Sequence, residues 1–492
     1  MKYVLSVDQS TQGTKALLFD EVGRLICRRD VAHEQKINGS GWVSHDPEEI
    51  YRNTLESVRL VLSDSGIDPA GVMALGISNQ RETSLCWRRD TGKPIADAIV
   101  WQCGRAKELC QRVIDAGWSE AVHAATGIPI SPFFPASKFA WLVENVPGAV
   151  EMAKEHRLCF GTIDAWLVYK LTDGESYKTD YSNASRTQLF NIHTLRWDEQ
   201  VCTAFGLDAA DLPEVTDSDA CFGMTDMGGI LPKKIPIHAV LGDSHAALFG
   251  QGCLGAGMAK ATYGTGSSIM MNIGTAPIES RNGLVNSLAW KFQGQVNYVM
   301  EGNLNYTGAV ISWLQKDVGL VSSAAQTQEL AESANPADTT YLVPAFTGLG
   351  APYWCNDAKA AIYGMTRLTG KAELVKAALE CIAYQITDIV KAMERDTGMK
   401  LSQLRVDGGP TRNAYLMQLQ SDLLEAKVCI PSSEELSGIG AAYMAGLSEG
   451  VFTQDVFSVL NYAYFVPQMD AETRQTKYAG WQDAVKSVIG RR

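Results

Sequence analysis

Two polar stretches in the middle of the chain carry residue types suited to phosphoryl chemistry. Asp243 follows an apolar run at 235–241 and precedes a helical run, so its carboxylate stands where a strand ends. Residues 262–267 form a Gly/Thr turn, and the backbone N–H groups of such a turn can face a phosphate. Alone, an aspartate at this point is more often a helix cap, and a Gly-Thr-Gly turn is more often a hairpin.

A similar arrangement occurs near residue 1. Residues 2–8 form an apolar run that ends in Asp8, and the polar turn that follows at 9–15 contains Thr11 and Lys15. A second strand is predicted at 16–20. A carboxylate at the rim and hydroxyl residues in the turn could hold a hydrated metal ion and wrap a phosphate tail. An ordinary β-meander has the same pattern, so both interpretations stay open from these residues alone.

A third polar group is suited to binding hydroxyls. A buried strand predicted at 72–77 leads into Arg81 and Glu82, which offer a donor fork beside an acceptor. Vicinal hydroxyls need both kinds of partner, although a surface salt bridge would look the same. Trp101 could stack on the C–H side of a sugar or polyol, or it could belong to the core. The polar residues 180–187 could line a cleft or form a well-bonded connection.

The elements that position these residues alternate between strands and helices. Asp46 before a proline predicts a helix to about residue 63, and the periodicity at 373–396 predicts a long buried helix. Helices are also predicted at 104–126 and 303–315. A strand ends at the double glycine after Asp407, with a helix from about Asn413. The sequence therefore predicts two α/β halves that face a cleft, with a hinge at 248–257.

Length and composition limit the classes of protein to which the chain can belong. At 492 residues the chain is too long for one core, so two large domains are expected. A net charge of −12 argues against nucleic acid as the main partner. No signal sequence and no apolar run of membrane-spanning length is visible. The eleven cysteines form no Cys-x-x-Cys pair, so neither a zinc site nor a disulfide framework is indicated. We therefore expect a cytoplasmic protein without membrane insertion.

Two longer motifs point to a family. Residues 133–145 fit the pattern Phe-x-Pro-x-x-Lys-Phe-x-Trp-Leu-x-Glu-Asn, and residues 360–380 fit a second signature that runs from Ala360 to Glu380. With these motifs the chain resembles the FGGY family of carbohydrate kinases, and within it most resembles the glycerol kinases. The resemblance implies an α/β fold of two ribonuclease-H-like domains, as in actin-like ATPases. We expect the domains at 1–247, with the polyol site and first phosphate loop, and at 248–492, with the nucleotide site.

The resemblance also implies roles for individual residues. Asp243 matches the family's catalytic base, and Asp8 matches an acid that helps to place Mg²⁺, with Asp243 beside it. The matched polyol-binding positions are Arg81, Glu82, Trp101, Phe133, Asp243, Ser244 and Ser268. The matched nucleotide-binding positions are Thr11, Gln12, Lys15, Thr265, Gly308, Ser312, Gly409 and Asn413. The implied reaction transfers the γ-phosphoryl group of ATP to a hydroxyl of a polyol or sugar, with ATP and Mg²⁺ as cofactors.

Several matched positions differ from the glycerol kinases. Phe133 stands where a tyrosine hydroxyl would contact the substrate, Ser244 replaces a glutamine, and Ser268 replaces a phenylalanine of the apolar wall. Ser312 replaces a glutamine on the nucleotide side, and Gln12 replaces a threonine in the first phosphate loop. With His245 near the base, the pocket is expected to be larger and more hydrophilic. Glycerol is the substrate by resemblance, and a tetritol, pentitol or pentulose is the alternative.

A different class of function is also possible. An actin-like switch would bind ATP and a partner without phosphorylating a small molecule. Arg81, Glu82 and Trp101 favour the kinase, because a switch has no need of hydroxyl-binding groups opposite the base. We expect a homodimer or homotetramer whose partner is a small polyol or sugar.

Overall fold

The computed structural model describes residues 1–490. Its first strands are β1 (Tyr3–Gln9), β2 (Gly13–Phe19), β3 (Leu25–Ala32), β4 (Lys36–Ile37), β5 (Val43–His45), β6 (Val72–Asn79), β7 (Ser84–Arg88), β8 (Ala98–Ile99), β9 (Leu158–Thr162), β10 (Lys178–Asp180), β11 (Phe190–Asn191) and β12 (Arg196–Trp197). The others are β13 (Glu214–Thr216), β14 (Cys221–Thr225), β15 (Ile235–Gly242), β16 (Ala259–Tyr263), β17 (Ser267–Gly274), β18 (Val285–Phe292), β19 (Gln295–Leu304), β20 (Tyr341–Val343), β21 (Ala361–Tyr363), β22 (Gln403–Asp407), β23 (Lys427–Pro431) and β24 (Tyr462–Phe465).

The α-helices lie between these strands. They are α1 (Pro47–Ser65), α2 (Lys107–Asp115), α3 (Ser119–Thr126), α4 (Pro135–Asn145), α5 (Ala149–Lys154), α6 (Ile163–Leu171), α7 (Tyr181–Ala184), α8 (Glu199–Ala204), α9 (Asp243–Gly250), α10 (Gly308–Lys316), α11 (Gln326–Ser333), α12 (Lys371–Thr397), α13 (Ala414–Leu424), α14 (Leu436–Ser448) and α15 (Ala471–Ile489).

Two central sheets share one strand order. In the first, the order β3-β2-β1-β6-β15-β14 has an antiparallel meander β1-β2-β3, and β6 and β15 add to β1 in parallel. In the second, β19-β17-β16-β22-β23-β24 repeats that pattern, with β18 added beyond β19. The chain is therefore built from two copies of the same sheet plan, in accordance with the sequence prediction.

A third sheet lies in the first half. Its order is β4-β5-β8-β7-β9, and α4 packs on β7. The apolar side chains of β7, β8 and β9 are buried, so this sheet forms a rigid support for the residues that follow β6 and precede α4. It thereby fixes the expected polyol side of the cleft.

Close packing of α9 and α14 joins the two sheets. A Cβ atom on Gly440 would lie 1.8 Å from the carbonyl oxygen of Ala246, and a Cβ atom on Gly250 would lie 2.6 Å from that of Leu436. On the other face of α14, a Cβ atom on Gly76 in β6 would lie 2.3 Å from the carbonyl oxygen of Ala441. Helix α14 thus crosses α9 and β6 at distances that only glycine permits.

Some elements differ from the sequence-based expectation. The single helix predicted at 104–126 is two helices, α2 and α3, because the chain breaks at Gly117 with a φ of 86°. The helix predicted at 303–315 begins only at Gly308, since Asn303 and Leu304 extend β19 against β17. The polar turn at 9–15 is shorter than predicted, because β2 begins at Gly13 and carries Lys15 within it.

Candidate active site

Three parallel strands of the first sheet end side by side and carry the predicted polar residues. Asp8 lies near the end of β1, Arg81 and Glu82 follow β6, and Asp243 follows β15. Asp8 is opposite Ser78 in the register of β1 with β6, and Leu241 is opposite Ser78 on the other side. Since ligands of open α/β sheets bind beyond the carboxyl ends of the strands, this edge is the expected place for a site.

Arg81 ties the base to an acid from the other half of the chain. Its Nε lies 3.2 Å from Asp243 Oδ1, and its two terminal nitrogens donate to both oxygens of Glu301 at 3.1 and 3.0 Å. Glu301 belongs to β19 and is fully buried. Burial alone would raise the pKa of Glu301, but Arg186 and Arg81 hold it well below its usual range. The guanidinium plane of Arg81 is therefore fixed by charge-assisted hydrogen bonds.

Glu82 is held in an unusual backbone conformation. Its φ is 60°, which is uncommon for a residue with a side chain. Arg186 Nε donates to Glu82 Oε1 at 2.6 Å, and Lys138 Nζ donates to the Glu82 carbonyl oxygen at 3.1 Å and to that of Phe133. All three side chains are buried, and burial lowers the pKa of Lys138 to about 7. Glu82 Oε2 is left as an acceptor for a ligand.

Two aromatic residues form one wall near Glu82. Trp101 and Phe133 meet edge to face with ring centroids 5.5 Å apart. The Trp101 indole N–H donates to Thr11 Oγ1 at 3.0 Å, so the predicted phosphate loop contacts the predicted polyol wall. Ser268, in β17, donates to Glu301 Oε1 at 3.0 Å and adds a hydroxyl on the side of Arg81. Amphipathic walls of this kind suit molecules that carry both C–H and O–H groups.

A polar cavity of about 390 Å³ lies in front of Asp243. Asp8, Lys15, Asp243 and Ser244 are among its lining residues. Asp8 and Lys15 are cross-strand neighbours in β1 and β2, and Ser78 Oγ donates to Asp8 at 2.9 Å. Burial raises the pKa of Asp8 to about 6 against the opposing effects of Lys15 and Ser78. The cavity thus brings the predicted base, metal-binding acid and first-loop cation together.

Lys15 is paired across the cleft. Its Nζ donates to Glu435 Oε2 at 2.9 Å, and Arg28 binds the other oxygen of the same carboxylate. Glu435 immediately precedes α14 and is 8% exposed, whereas Lys15 and Arg28 belong to the first sheet. One carboxylate of the second half therefore neutralises two cations of the first.

A larger cavity of about 770 Å³ adjoins the polar one. The two cavities meet at strand ends, because Thr262 and Gly408 line the first while Tyr263 and Gly409 line the second. The predicted nucleotide positions that line the larger cavity are Thr265, Gly308, Ser312, Gly409 and Asn413. The side chain of Asn413 caps α13 by accepting from the N–H of Leu416 at 3.0 Å. The volume of the larger cavity suits a ligand of the size of a drug or a nucleotide.

The remaining predicted residues are more dispersed. Gln12 is exposed at the tip of the β1–β2 turn, and Ser244 donates its backbone N–H to Asp243 Oδ1 at 2.6 Å. His245 is fully buried, and burial together with Arg81 lowers its pKa well below the usual value. Because it is fully buried, His245 does not line the pocket and does not make it larger, contrary to the expectation from the sequence.

The sequence analysis missed Glu301, Arg186, Lys260 and Glu435 as parts of the site. Glu301 and Lys260 are each the single charged residue of a largely buried strand, which is a signal that could have found them. Arg186 lies in the polar stretch that was considered as a cleft lining. No sequence pattern around Glu435 indicates its role, because its partners Lys15 and Arg28 lie about 400 residues earlier in the chain.

Comparison with known proteins identifies the family. Residues 3–250 match the FGGY family of carbohydrate kinases, N-terminal domain, and residues 259–449 match its C-terminal domain. The chain belongs to the FGGY family. This confirms the resemblance noted from the two signature motifs. It also confirms an ATP-dependent kinase rather than a nucleotide-binding switch.

Relatives in this family match the chain over almost all of its length. Glycerol kinase 1 of Thermotoga maritima is 47% identical over 490 residues, which cover 99% of each chain. Glycerol kinase of Carboxydothermus hydrogenoformans is 45% identical, with coverage of 98% of this chain and 97% of its own.

Solved structures of family members have the same fold. The crystal structure of Plasmodium falciparum glycerol kinase with ADP has a TM-score of 0.93 and 35% identity, covering 99% of this chain and 98% of that one. A ligand-bound xylulose kinase from Lactobacillus acidophilus has a TM-score of 0.88 at 19% identity and covers all of both chains. The predicted fold class of two ribonuclease-H-like domains is confirmed. Among residues 1–490, no helix has the length and apolar content needed to cross a membrane.

Proposed function

We propose that this FGGY kinase transfers the γ-phosphoryl group of ATP to a hydroxyl of glycerol, with Asp243 as the general base. The observation that carries the proposal is the position of Asp243. It forms an ion pair with Arg81 on the polyol side, and it lines the polar cavity, whose lining residues neighbour those of the larger cavity. Support for glycerol comes from the glycerol kinases that are 47% and 45% identical to the chain.

The acceptor hydroxyls bind between Arg81, Glu82 and Trp101. Arg81 keeps one free N–H on each terminal nitrogen after bonding Glu301, and Glu82 Oε2 accepts. A primary alcohol is a weak nucleophile, so Asp243 takes its proton as the new O–P bond forms. The bond from the γ-phosphorus to the β-phosphate oxygen breaks, and ADP leaves with that oxygen. Lys15 and the backbone N–H groups of the phosphate loops neutralise the negative charge of the phosphates.

Asp8 and Asp243 fit a magnesium ion that arrives with ATP. Both carboxylates line the polar cavity, and no group of three or more ligating His, Cys, Asp or Glu side chains occurs among residues 1–490. Mg²⁺ commonly takes one or two carboxylates and completes its octahedron with water and substrate phosphates. When bound, it would neutralise phosphate charge.

The nucleotide lies along the larger cavity, with its phosphates toward Asp243. Thr265 supplies the second phosphate loop, and Thr11 with Gln12 supplies the first. Gly409, Gly308 and Asn413 leave room for the base and ribose. Gly308 allows the close approach, since a Cβ atom there would lie 2.5 Å from the carbonyl oxygen of Gly264.

An acceptor panel with ATP tests the proposal. We expect ADP release with glycerol and a loss of kcat of about 10²–10⁴ in Asp243→Asn, because the base is removed while ADP still binds. Asp483→Asn, at an exposed pair with Lys486 on α15, is the matched control and keeps the parent's rate. Unchanged turnover in Asp243→Asn would refute the base, and no turnover of any polyol or sugar by the parent would refute the function.

A longer polyol or ketose is the second candidate acceptor. Ser268 favours it, because its hydroxyl faces Glu301 and could contact an additional hydroxyl of the substrate. Comparison of kcat/KM for C3 to C6 polyols and ketoses decides between the two. A clear preference for glycerol excludes the longer acceptors.

Three further properties belong to the same proposal. We place the domains at 1–247 and 248–492, although α9 continues across this division. We place the protein in the cytoplasm, where its eleven free cysteines would stay reduced. We expect a homodimer or homotetramer, and exposed Ile362, Tyr363 and Leu368 offer apolar surface for it. Light scattering on the purified protein tests the oligomeric state.

A further inference from the structure

A third cation lines the polar cavity beside Lys15 and Arg28. Lys260 belongs to β16, its side chain is fully buried, and it shares the cavity with Asp8 and Asp243. It lies five residues before Thr265 of the second phosphate loop. Lys260 thus shares a cavity with the proposed base and lies on the strand that leads into the second phosphate loop.

Lys260 differs from the other two cations in its charge balance. Lys15 and Arg28 are both paired with Glu435. In the described part of the chain, no carboxylate oxygen lies within 4.0 Å of Lys260 Nζ. Its hydrogen bond goes to Thr262 Oγ1 at 2.9 Å, which uses one of the three N–H groups of an ammonium. Two donors are therefore available to a ligand.

A buried, unpaired charge is costly unless something compensates for it. Burial lowers the pKa of Lys260, while Asp407, Glu301 and Asp243 act at longer range in favour of the charged form. A methionine would fill the same space without the desolvation cost. An amine at this place is thus explained best by an anion that enters the cavity.

We propose that Lys260 binds the transferring phosphoryl group and stabilises the negative charge on its non-bridging oxygens. This rests on the proposed function, because the γ-phosphoryl group is the anion that must come between Asp243 and the phosphate loops. Lys260 keeps its proton throughout, and Asp243 receives the proton of the hydroxyl. Lys15 leaves Glu435 only when phosphate competes for it, whereas Lys260 has two unused N–H donors before phosphate binds.

Lys260→Met tests the role in transfer. We expect kcat to fall on the order of 10²–10³-fold, as for loss of one preorganised donor, with both KM values within about threefold. The affinity for ADP with aluminium fluoride and glycerol, a mimic of the transfer state, should fall by the same factor. The affinity for ADP alone should stay within about threefold.

Lys376→Met is the matched control. Lys376 is also a buried lysine whose pKa is lowered by burial, but its Nζ donates to the Asn335 carbonyl oxygen in another part of the molecule. It should keep the parent's kcat whatever its effect on stability. Lys260→Gln, which retains a donor for Thr262, replaces Lys260→Met if the latter does not fold.

The outcomes separate the two proposals. A kcat within threefold of the parent, or an equal loss of affinity for ADP alone, would overturn the role of Lys260 and leave it a structural residue. A parent without turnover on any polyol refutes the proposed function instead. Binding of ADP with aluminium fluoride, measured without polyol, then still tests Lys260. A crystal structure of the parent with ADP and aluminium fluoride needs no variant, and fluoride beyond hydrogen-bond reach of Lys260 Nζ would also overturn the role.

Discussion

At the scale of single residues, the site consists of charged side chains that fix one another before any ligand binds. Glu301 accepts from both terminal nitrogens of Arg81, and Arg186 joins Glu301 to Glu82. Arg186 Nη1 lies 2.8 Å from Glu301 Oε2 as an ion pair without good hydrogen-bond geometry. Removal of one member leaves the others buried without compensation. Glu301 and Arg186 therefore hold Arg81 and Glu82 in place before the substrate binds, and need not touch the substrate themselves.

Lys138 illustrates such a positioning role. It donates to the carbonyl groups of Glu82 and Phe133, two residues of the proposed polyol pocket. We expect Lys138→Met to raise KM for glycerol by about tenfold to thirtyfold, because two buried acceptors lose a partner at about 1 kcal/mol each. The affinity for ADP should stay within about twofold.

Calorimetry with ADP and steady-state kinetics with glycerol measure the two effects separately. Lys170→Met is a suitable control, since Lys170 pairs with Glu48 on α1. An equal loss of ADP and glycerol binding would mean that Lys138 supports the fold in general rather than the pocket.

The sequence predicted those site residues that lie at strand ends. Asp8, Arg81 and Asp243 follow apolar strands, and parallel strands bring their ends together whatever the chain does between them. The contacts of Arg81 with Glu301 join positions 220 residues apart, and no local pattern encodes such a pairing. Roles for Thr265 and Asn413 came from the family resemblance, because a Gly/Thr turn alone fits a hairpin equally well.

At the scale of elements, the important contact is the crossing of α9 and α14. Asp243 is the first residue of α9, and Glu435 immediately precedes α14, so this crossing sets the distance between the base and the residue that holds Lys15. The small residues of α14, among them Gly438 and Gly440, suit close packing. Which element they pack against was not predictable, because it depends on how the two sheets face each other.

Gly440→Ala tests this crossing. Helix propensity alone favours alanine over glycine by about 1 kcal/mol. The added methyl group would lie 1.8 Å from the Ala246 carbonyl oxygen, so the helices must separate. We expect a loss of about 1–3 kcal/mol in the free energy of unfolding and a lower kcat, since Asp243 moves with α9.

Thermal unfolding measures the stability of Gly440→Ala against the parent, and kinetics with glycerol measure the two kcat values. Gly39→Ala is the matched control, because a Cβ atom there has no neighbour within 4 Å. A Gly440→Ala variant that is as stable as the parent would show that the crossing has room for a side chain.

At the scale of the whole molecule, two sheets with the same strand order contribute different parts of the site. The first provides the base and the acceptor pocket, and the second provides most of the larger cavity. Apolar residues from both halves, including Leu241, Met270 and Ala442, form one buried cluster between the sheets. Electrostatic contacts between the halves include the buried pairs of Glu301 with Arg81 and Arg186. A further contact is made at the polar cavity by Glu435, which binds Lys15 and Arg28. The same cations face the cavity where phosphate is proposed to bind, so nucleotide and Glu435 compete for them.

This competition predicts the behaviour of Glu435→Gln. The substitution keeps the size of the side chain but removes the counter-charge of Lys15 and leaves Arg28 paired only with the exposed Asp30. ADP should therefore bind about threefold to tenfold more tightly at low salt, which corresponds to about 1 kcal/mol of relieved competition. The gain should shrink between 50 and 300 mM NaCl (about 14 and 6 Å of screening length), because Lys15 is partly exposed.

Titration calorimetry with ADP at both salt concentrations measures this effect. Glu425→Gln removes the same charge from the same half, where the half-exposed Glu425 pairs with Arg474, so it controls for net charge. Weaker or unchanged ADP binding in a folded Glu435→Gln would mean that Glu435 orients Lys15 for phosphate instead of competing with it. In that case the contact between the halves would assist nucleotide binding, and Glu435 would belong to the binding site itself.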